Sequence, residues 1–243
     1  MSHARHPVAV VIPAKDEADL IAETIRAVRR IPGVAVVIVV DDGSLDATAR
    51  IAAAEGAEIV RHARNHGKAD AMMSGIGRLK GLVRVGRAAP DTAVLFADAD
   101  LAASAEAVGS LVGPVARGEA DLTIAVLPRQ ATPGGGFGLV VGLATRGIEE
   151  LTGWTPTQPL SGMRCLSPEA IAAAIPFARG WGVEVGMTVD VLDAGLTIVE
   201  VPCELHHRVT GRDWRSQVHR AAQYRDVALA LAVRRLRRRL GPA

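Results

Sequence analysis

Aromatic residues make up only 3% of this 243-residue chain, with one Tyr, three Phe and three Trp. That scarcity excludes a platform on which the bases of a single-stranded nucleic acid could stack. Cysteine is rarer still: Cys165 and Cys203 lie far apart in apolar surroundings without CxxC spacing. They read as buried thiols in a reducing compartment, neither a disulfide framework nor a zinc site. Long apolar runs are absent too, since 34–40 and 227–233 fall far short of the ~20 residues of a membrane span. The opening Met1-Ser2-His3-Ala4-Arg5-His6-Pro7 has no apolar stretch of the kind that directs secretion. A cytoplasmic protein is expected, with peripheral contact at the inner face of the membrane left open. Excess charge is small, 28 Lys and Arg against 26 Asp and Glu, and the basic surplus sits in Arg234-Arg235-Leu236-Arg237-Arg238-Arg239. No nucleic-acid partner is expected of the rest.

The chain is 49% hydrophobic, and Ala, Val, Leu and Gly carry most of that content, which suits helices packed closely on a sheet. The run 8–12 closes on Pro13 and reads as a buried strand. A helix over about 18–30, a strand over 34–40, a helix to about 55 and a short strand near 57–61 follow. This β-α-β-α-β order means a parallel sheet with right-handed crossovers, in which ligands bind at the carboxyl ends of the strands. Asp16, Asp42 and Asp98 then share one rim. Gly67 and Lys68 open a helix expected to end near 78. A glycine ahead of a helix start with a lysine in the first turn suits a diphosphate, although such a lysine also reads as simply solvated. The strand over 93–97 ends in Asp98-Ala99-Asp100. Two carboxylates this close at low dielectric raise a pKa or take a divalent cation, and a solvated loop is the plain alternative. A helix over about 104–117 and a strand over 121–127 come next. The Gly- and Pro-rich stretch 128–138 is expected to be a mobile loop that folds over a ligand. A turn over 159–165 leads into a short strand, helices near 168–174 and 183–194, a strand over 197–203 and a final helix. One domain over 1–243 is expected.

The segments that carry a family likeness are Val11-Ile12-Pro13-Ala14-Lys15-Asp16-Glu17, Val40-Asp41-Asp42-Gly43-Ser44, Gly67-Lys68-Ala69-Asp70-Ala71, Asp98-Ala99-Asp100, Pro159-Leu160-Ser161-Gly162 and Gly180-Trp181-Gly182-Val183-Glu184. In order and spacing, from residue 8 to about 213, the chain resembles the nucleotide-sugar glycosyltransferases of the A-type (GT-A) fold, family 2, and especially the glucosyl-3-phosphoglycerate synthases. The resemblance implies an α/β GT-A fold, a Rossmann-like and mostly parallel central sheet flanked by helices. It implies a nucleotide-sugar half over about 8–127, an acceptor half over about 128–224 and a basic amphipathic helix over 225–243. The implied donor is a UDP-sugar, UDP-glucose ahead of any GDP-sugar, and the implied cofactor is Mg²⁺ or Mn²⁺. Pro13, Ala14 and Glu17 would border the nucleobase and ribose, and Asp42 would meet the base. Lys68 would hold phosphate, Asp98 would lie against the ribose, and Asp100 would ligate the metal with His207 as second ligand. Ala99, Ser161, Gly162 and Arg212 complete the implied nucleotide-sugar set. Departure of a nucleoside diphosphate builds negative charge that a metal and Lys68 would neutralise. Glu184, which with Lys68 and Asp100 forms the implied catalytic group, would be a general base or would orient the nucleophile. It also reads as a partner for the helix dipole. Whether the transfer inverts or retains configuration stays open.

The chain departs from these synthases where they carry Arg and Thr after the Gly-rich loop, here Phe137 and Leu139, and where they carry Asn, here Val209. These residues offer no donors to a doubly anionic acceptor, so an acceptor other than 3-phosphoglycerate, and a more apolar one, is expected. Leu229, Val233, Leu236 and Leu240 are spaced 4, 3 and 4 among Arg225, Arg234, Arg235, Arg237, Arg238 and Arg239. Such a helix lies on an anionic membrane, as would suit a polyprenyl-phosphate sugar synthase, or packs on its own domain or on a second subunit as a homodimer. Two other classes compete. A sugar-nucleotide pyrophosphorylase would carry a Gly-rich basic loop after the first strand, where this chain has Pro13-Ala14-Lys15-Asp16-Glu17. A non-catalytic nucleotide-sugar-binding protein would be expected to lose the Asp pair or Glu184, and both are present.

Overall fold

Val8–Ala14 (β1) and Val34–Asp41 (β2) are rich in β-branched residues, and β1 together with the second half of β2 is buried on both faces, as central parallel strands require. The structure, a computed structural model, describes residues 6–128, 137–204 and 215–240. Between these strands Ile21–Arg29 (α1) buries Ile21, Thr24, Ile25 and Val28 and keeps Glu23, Arg26 and Arg29 outside. Thr48–Ala54 (α2), Glu58–Arg61 (β3), Lys68–Arg84 (α3) and Ala93–Phe96 (β4) follow. A 3₁₀ helix over Ala102–Leu111 runs into Val112–Ala116 (α4), then Leu122–Val126 (β5) and Phe137–Thr152 (α5). Arg164–Leu166 (β6), Pro168–Ala174 (α6), a 3₁₀ turn over Gly180–Gly182, Val183–Asp193 (α7), Ile198–Pro202 (β7) and Arg215–Leu240 (α8) complete the order.

The strands lie in the order β3-β2-β1-β4-β6-β5-β7. All neighbours are parallel except β6, which runs antiparallel to both β4 and β5. This is the GT-A architecture, a mostly parallel sheet with helices on both faces. Ile21, Ile25 and Val28 of α1 pack with Ala105 and Val108 on one face. Met72 and Ile76 of α3, Ile171 of α6 and Met187 of α7 cover the other. Beyond that layer Val140, Ala144 and Ile148 of α5 pack with Val185 and Val189 of α7 and Val227 and Leu231 of α8.

Several boundaries differ from expectation for local reasons. Residues 16–18 are tied to the β2 loop, so α1 starts at Ile21 rather than near 18. The helix expected to stop near 78 continues to Arg84 because burial of Leu79 and Leu82 outweighs the helix cost of Gly77 and Gly81. The helix expected over 104–117 is 3₁₀ for most of its length. Gly109 there lies so close to α1 that a Cβ would press on Ile31 Cγ2 at 3.1 Å. α5 has no counterpart among the elements expected from the sequence. Most of the Gly/Pro stretch expected to fold over a ligand, 129–136, lies outside the described residues.

α8 packs on its own domain, but not through the stripe that sequence spacing singles out. Its inward face is Val227, Ala230, Leu231 and Arg234. Arg234, Arg235 and Arg238 pair there with Asp190, Glu150 and Asp193. Among the described residues no helix is long and apolar enough to cross a membrane.

Candidate active site

The loops after β1 and β2 are stitched together at the carboxyl rim of the sheet. The Asp16 amide donates to Ser44 Oγ (3.0 Å) and the Leu45 amide returns to Asp16 Oδ1 (2.8 Å). The Glu17 amide donates to Thr48 Oγ1 (2.8 Å) and the Ala18 amide to Asp46 Oδ2 (3.0 Å). Pro13 and Ala14, the last residues of β1, and Glu17 therefore border one fixed edge. The Asp42 amide bonds the Ala14 carbonyl at 2.8 Å. Its carboxylate accepts from His62 Nδ1 (2.7 Å) and from the amides of His66 (2.9 Å) and Gly67 (2.8 Å). Burial opposes the Asp42 charge, but these three donors outweigh it and hold its pKa below the ordinary carboxylate value. Asp42 thus braces the loop that leads into α3. Gly67 makes the turn with φ 93°, a left-handed conformation costly for a side-chain-bearing residue, and this sets the direction in which Lys68 leaves the helix.

Lys68 Nζ lies 2.8 Å from Asp98 Oδ1 and 3.7 Å from Glu184 Oε1. Burial works against its charge, yet the two carboxylates outweigh that effect and raise its pKa, so Lys68 stays protonated. Glu184, in the first turn of α7, has only 6% of its side chain exposed. Burial raises its pKa against the pull of Lys68 and Arg164. The turn ahead of β6 closes over this cluster. A Cβ at Gly162 would collide with Lys68 Nζ. Ser161 Oγ is buried and has no hydrogen-bond partner among the described residues, so it is open to a bound group. Lys68, Asp98, Ser161 and Glu184 line a cavity of about 370 Å³ together with Gln223 and the mostly apolar walls Leu127, Val140, Leu160, Met163, Trp181 and Val227.

After β4 burial alternates: Ala97 and Ala99 turn into the core and Asp98 and Asp100 outward. Lys68 takes Asp98, whereas no hydrogen bond or ion pair engages the Asp100 carboxylate among the described residues. Two hard oxygen donors two residues apart, one unpartnered, fit a cation of the Mg²⁺ kind. Such an ion takes one or two carboxylates and completes its shell with phosphate oxygens and water. No group of three His, Cys, Asp or Glu gathers among the described residues. His207 and Arg212 lie outside them.

Two residues were missed in the sequence. Thr24, fully buried on α1, donates through Oγ1 to the Ala99 carbonyl and accepts from the Ala102 amide, both at 2.8 Å. Ala102 has φ 49°, so Thr24 staples a strained turn directly after the Asp pair. Arg164 opens β6 and is fully buried. Its guanidinium donates to the carbonyls of Ser161 (2.8 Å), Pro159 (3.0 Å) and Glu184 (2.8 Å) and to Thr188 Oγ1 (2.9 Å). Burial pulls its pKa down to about 10, against Glu184 and Glu200, and it remains charged at neutral pH. It ties the Ser161 turn to the first turn of α7. The available signals were a threonine within an apolar helix stripe and a charge between Met163 and Cys165.

Residues 9–155 match the family model described as Glycosyl transferase family 2. Over 199 residues the chain is 31% identical to an uncharacterized protein of Methanocaldococcus jannaschii, with 79% of each chain covered. It is 30% identical over 214 residues to glucosyl-3-phosphoglycerate synthase of Mycolicibacterium paratuberculosis, covering 78% of this chain and 61% of that protein. The crystal structure of glucosyl-3-phosphoglycerate synthase from Mycobacterium tuberculosis with Mn²⁺, UDP and glucosyl-3-phosphoglycerate matches with a TM-score of 0.68 at 30% identity, over 94% of this chain and 80% of that one. The same enzyme with Mn²⁺, UDP-glucose and phosphoglyceric acid gives 0.70 at 31% identity, over 94% and 79%. With Mg²⁺ and UDP it gives 0.68 at 29% identity, again over 94% and 79%.

Proposed function

The chain belongs to glycosyl transferase family 2 and is a glycosyltransferase, and from that premise we propose that it moves a hexose from a UDP-sugar to an acceptor other than 3-phosphoglycerate. UDP-glucose is the favoured donor, ahead of GDP-sugars, and Mg²⁺ or Mn²⁺ the cofactor. The carrying observation is the cluster of half-buried Lys68 and Asp98 with buried Glu184, all three lining the cavity. In this reading Pro13, Ala14, Glu17 and Asp42 belong to the nucleoside edge, with Asp98 against the ribose. Ala99, Ser161, Gly162 and Arg212 complete the nucleotide-sugar set. Asp100, with His207, holds the cation, which supplies positive charge beside the diphosphate.

Lys68, held protonated, adds a point charge where the leaving oxygen becomes negative. The unsatisfied Ser161 hydroxyl gains a partner when ligand enters. Glu184 accepts the hydrogen bond of the attacking hydroxyl, as general base or as the group that orients it. Leu139 stands exposed at the start of α5. With Phe137 and with Val209, which lies outside the described residues, it offers no donors to an acceptor that carries a carboxylate as well as a phosphate. The apolar cavity walls favour a second reading within this one, an acceptor of the polyprenyl-phosphate class, for a cytoplasmic protein working at the membrane's inner face.

Calorimetry with UDP-glucose and with GDP-glucose, each with and without Mn²⁺, tests the donor; UDP-glucose binding that depends on the metal is expected. An absence of metal-dependent binding to either would remove the reading. Binding without any release of glucose from donor, alone or with acceptors, would leave a non-catalytic nucleotide-sugar-binding protein. Glucosylation of 3-phosphoglycerate would overturn the acceptor assignment.

A further inference from the structure

The face of α8 that turns away from the domain is itself apolar. Leu229, Val233, Leu236 and Leu240 are 58%, 39%, 57% and 77% exposed. Their spacing of 4, 3 and 4 places them along one side of the helix, with Ala232 between them. Arg225 stands one turn before Leu229, Arg237 one turn after Val233 and Arg239 three residues after Leu236. All three are exposed, although Arg225 also reaches its neighbour Asp226 and Arg237 stands 3.9 Å from Asp190. The acids that neutralise Arg234, Arg235 and Arg238 lie on α5 and α7, on the packed side. From 215 to 240 the only acid on the helix is Asp226, whose side chain is 15% exposed.

We infer that this outward face of α8 docks on an anionic lipid surface. The four apolar side chains enter the boundary between headgroups and acyl chains, and Arg225, Arg237 and Arg239 reach up to the lipid phosphates along their aliphatic stems. Charge complementarity selects this occupant. A second copy of the chain would set the same arginine-rimmed face against itself, because a two-fold interface pairs identical patches. A stripe of four side chains also falls short of the ~800 Å² per partner that a standard protein interface buries. The helix continues from this stripe into the candidate site, since Gln223 and Val227 line the cavity. Trp181, also on the cavity wall, is 42% exposed, and its amide bonds Asp226 of α8 at 3.2 Å. Val227 belongs to the inward face of α8, so docking sets the cavity behind this helix, one helix diameter (~10 Å) from the lipid surface. That an acceptor is presented from the lipid rests on the transferase reading; the docking itself does not.

Flotation of the full chain with vesicles tests it. The chain is expected to float with phosphatidylcholine vesicles containing phosphatidylglycerol, much less with phosphatidylcholine alone, and less as salt is raised. Val233→Glu with Leu236→Glu is expected to lower the vesicle-bound fraction by about tenfold, and Arg239→Glu severalfold. Melting temperature and calorimetric UDP binding, measured without vesicles, should not change, because these side chains are exposed. No flotation with anionic vesicles, or flotation indifferent to Val233→Glu with Leu236→Glu, would overturn the inference. So would a dimer in sedimentation that Leu236→Glu splits, which would make a second copy the occupant. Flotation in a chain that binds no UDP-sugar would leave the docking standing and remove the transferase reading alone.

Discussion

Asp98 and Asp100 are two residues apart and stand in different surroundings. Asp98 neutralises Lys68 at 2.8 Å, whereas the Asp100 carboxylate has no protein partner among the described residues. Asp100→Ala is expected to abolish the metal-dependent part of UDP binding, and Asp98→Ala to weaken binding with or without Mn²⁺. Equal losses in the two calorimetric series would show that the division is wrong. Thr24 acts behind this pair. Thr24→Val leaves the Ala99 carbonyl and the Ala102 amide without their buried partner, an expected loss of about 1–3 kcal/mol in urea unfolding. Mn²⁺ affinity read by electron paramagnetic resonance should fall with it, and Thr24→Ser should restore both. For Glu184, burial raises the pKa and Lys68 and Arg164 restrain the rise. If its carboxylate form is the active one, donor turnover falls as pH drops through a value above that of an ordinary glutamate. Arg164→Met removes one restraint and is expected to move this acid limb to higher pH. Thr188→Val, which deletes a hydrogen bond but no charge, should leave the limb in place.

Among elements, the turn before β6 stands directly against Lys68. Gly162→Ala puts a methyl group where Lys68 Nζ lies, so UDP affinity is expected to fall about tenfold or more, with a loss of Lys68 placement worth ~1.4 kcal/mol or above. Retained affinity with an unchanged melting temperature would mean that Lys68 has another route to the phosphates. The strands β1, β2 and β4 were legible because buried parallel strands are continuous apolar runs. The residues that follow β2, β3 and β4 show Asp42, Lys68 and Asp98 in order. Thr24 and Arg164 were not legible as site residues, since their partners are carbonyls, amides and a hydroxyl brought together only by the fold. α5 is hard to read in the sequence because the Gly/Pro run leads straight into it and Gly142 and Gly147 interrupt the 4-residue recurrence of Val140, Ala144 and Ile148. On α8 the spacing of Leu229, Val233, Leu236 and Leu240 puts them on one face, yet spacing alone does not say whether a face turns inward. The competing inward face, Val227, Ala230, Leu231 and Arg234, includes a buried arginine that no hydrophobic count would select.

For the whole molecule, the strand order carries a consequence for how the chain can be divided. The sequence suggests a donor half and an acceptor half that meet near residue 127. However, β6, from the second half, lies between β4 and β5 of the first, and β5 in turn carries β7 at the edge. Neither half holds a finished sheet: fragment 1–128 has a slot of strand width between β4 and β5, and fragment 129–243 has the insert without the slot. Expressed alone, each fragment is expected to lack a cooperative melting transition; mixed, they should recover one together with UDP binding. A cooperative transition from either fragment alone would show that the halves are domains. Among the described residues the seven-stranded sheet is a lock built around its own key, and the rim that carries the candidate site is whole only when residue 166 lies between strands about forty and seventy residues earlier in the chain.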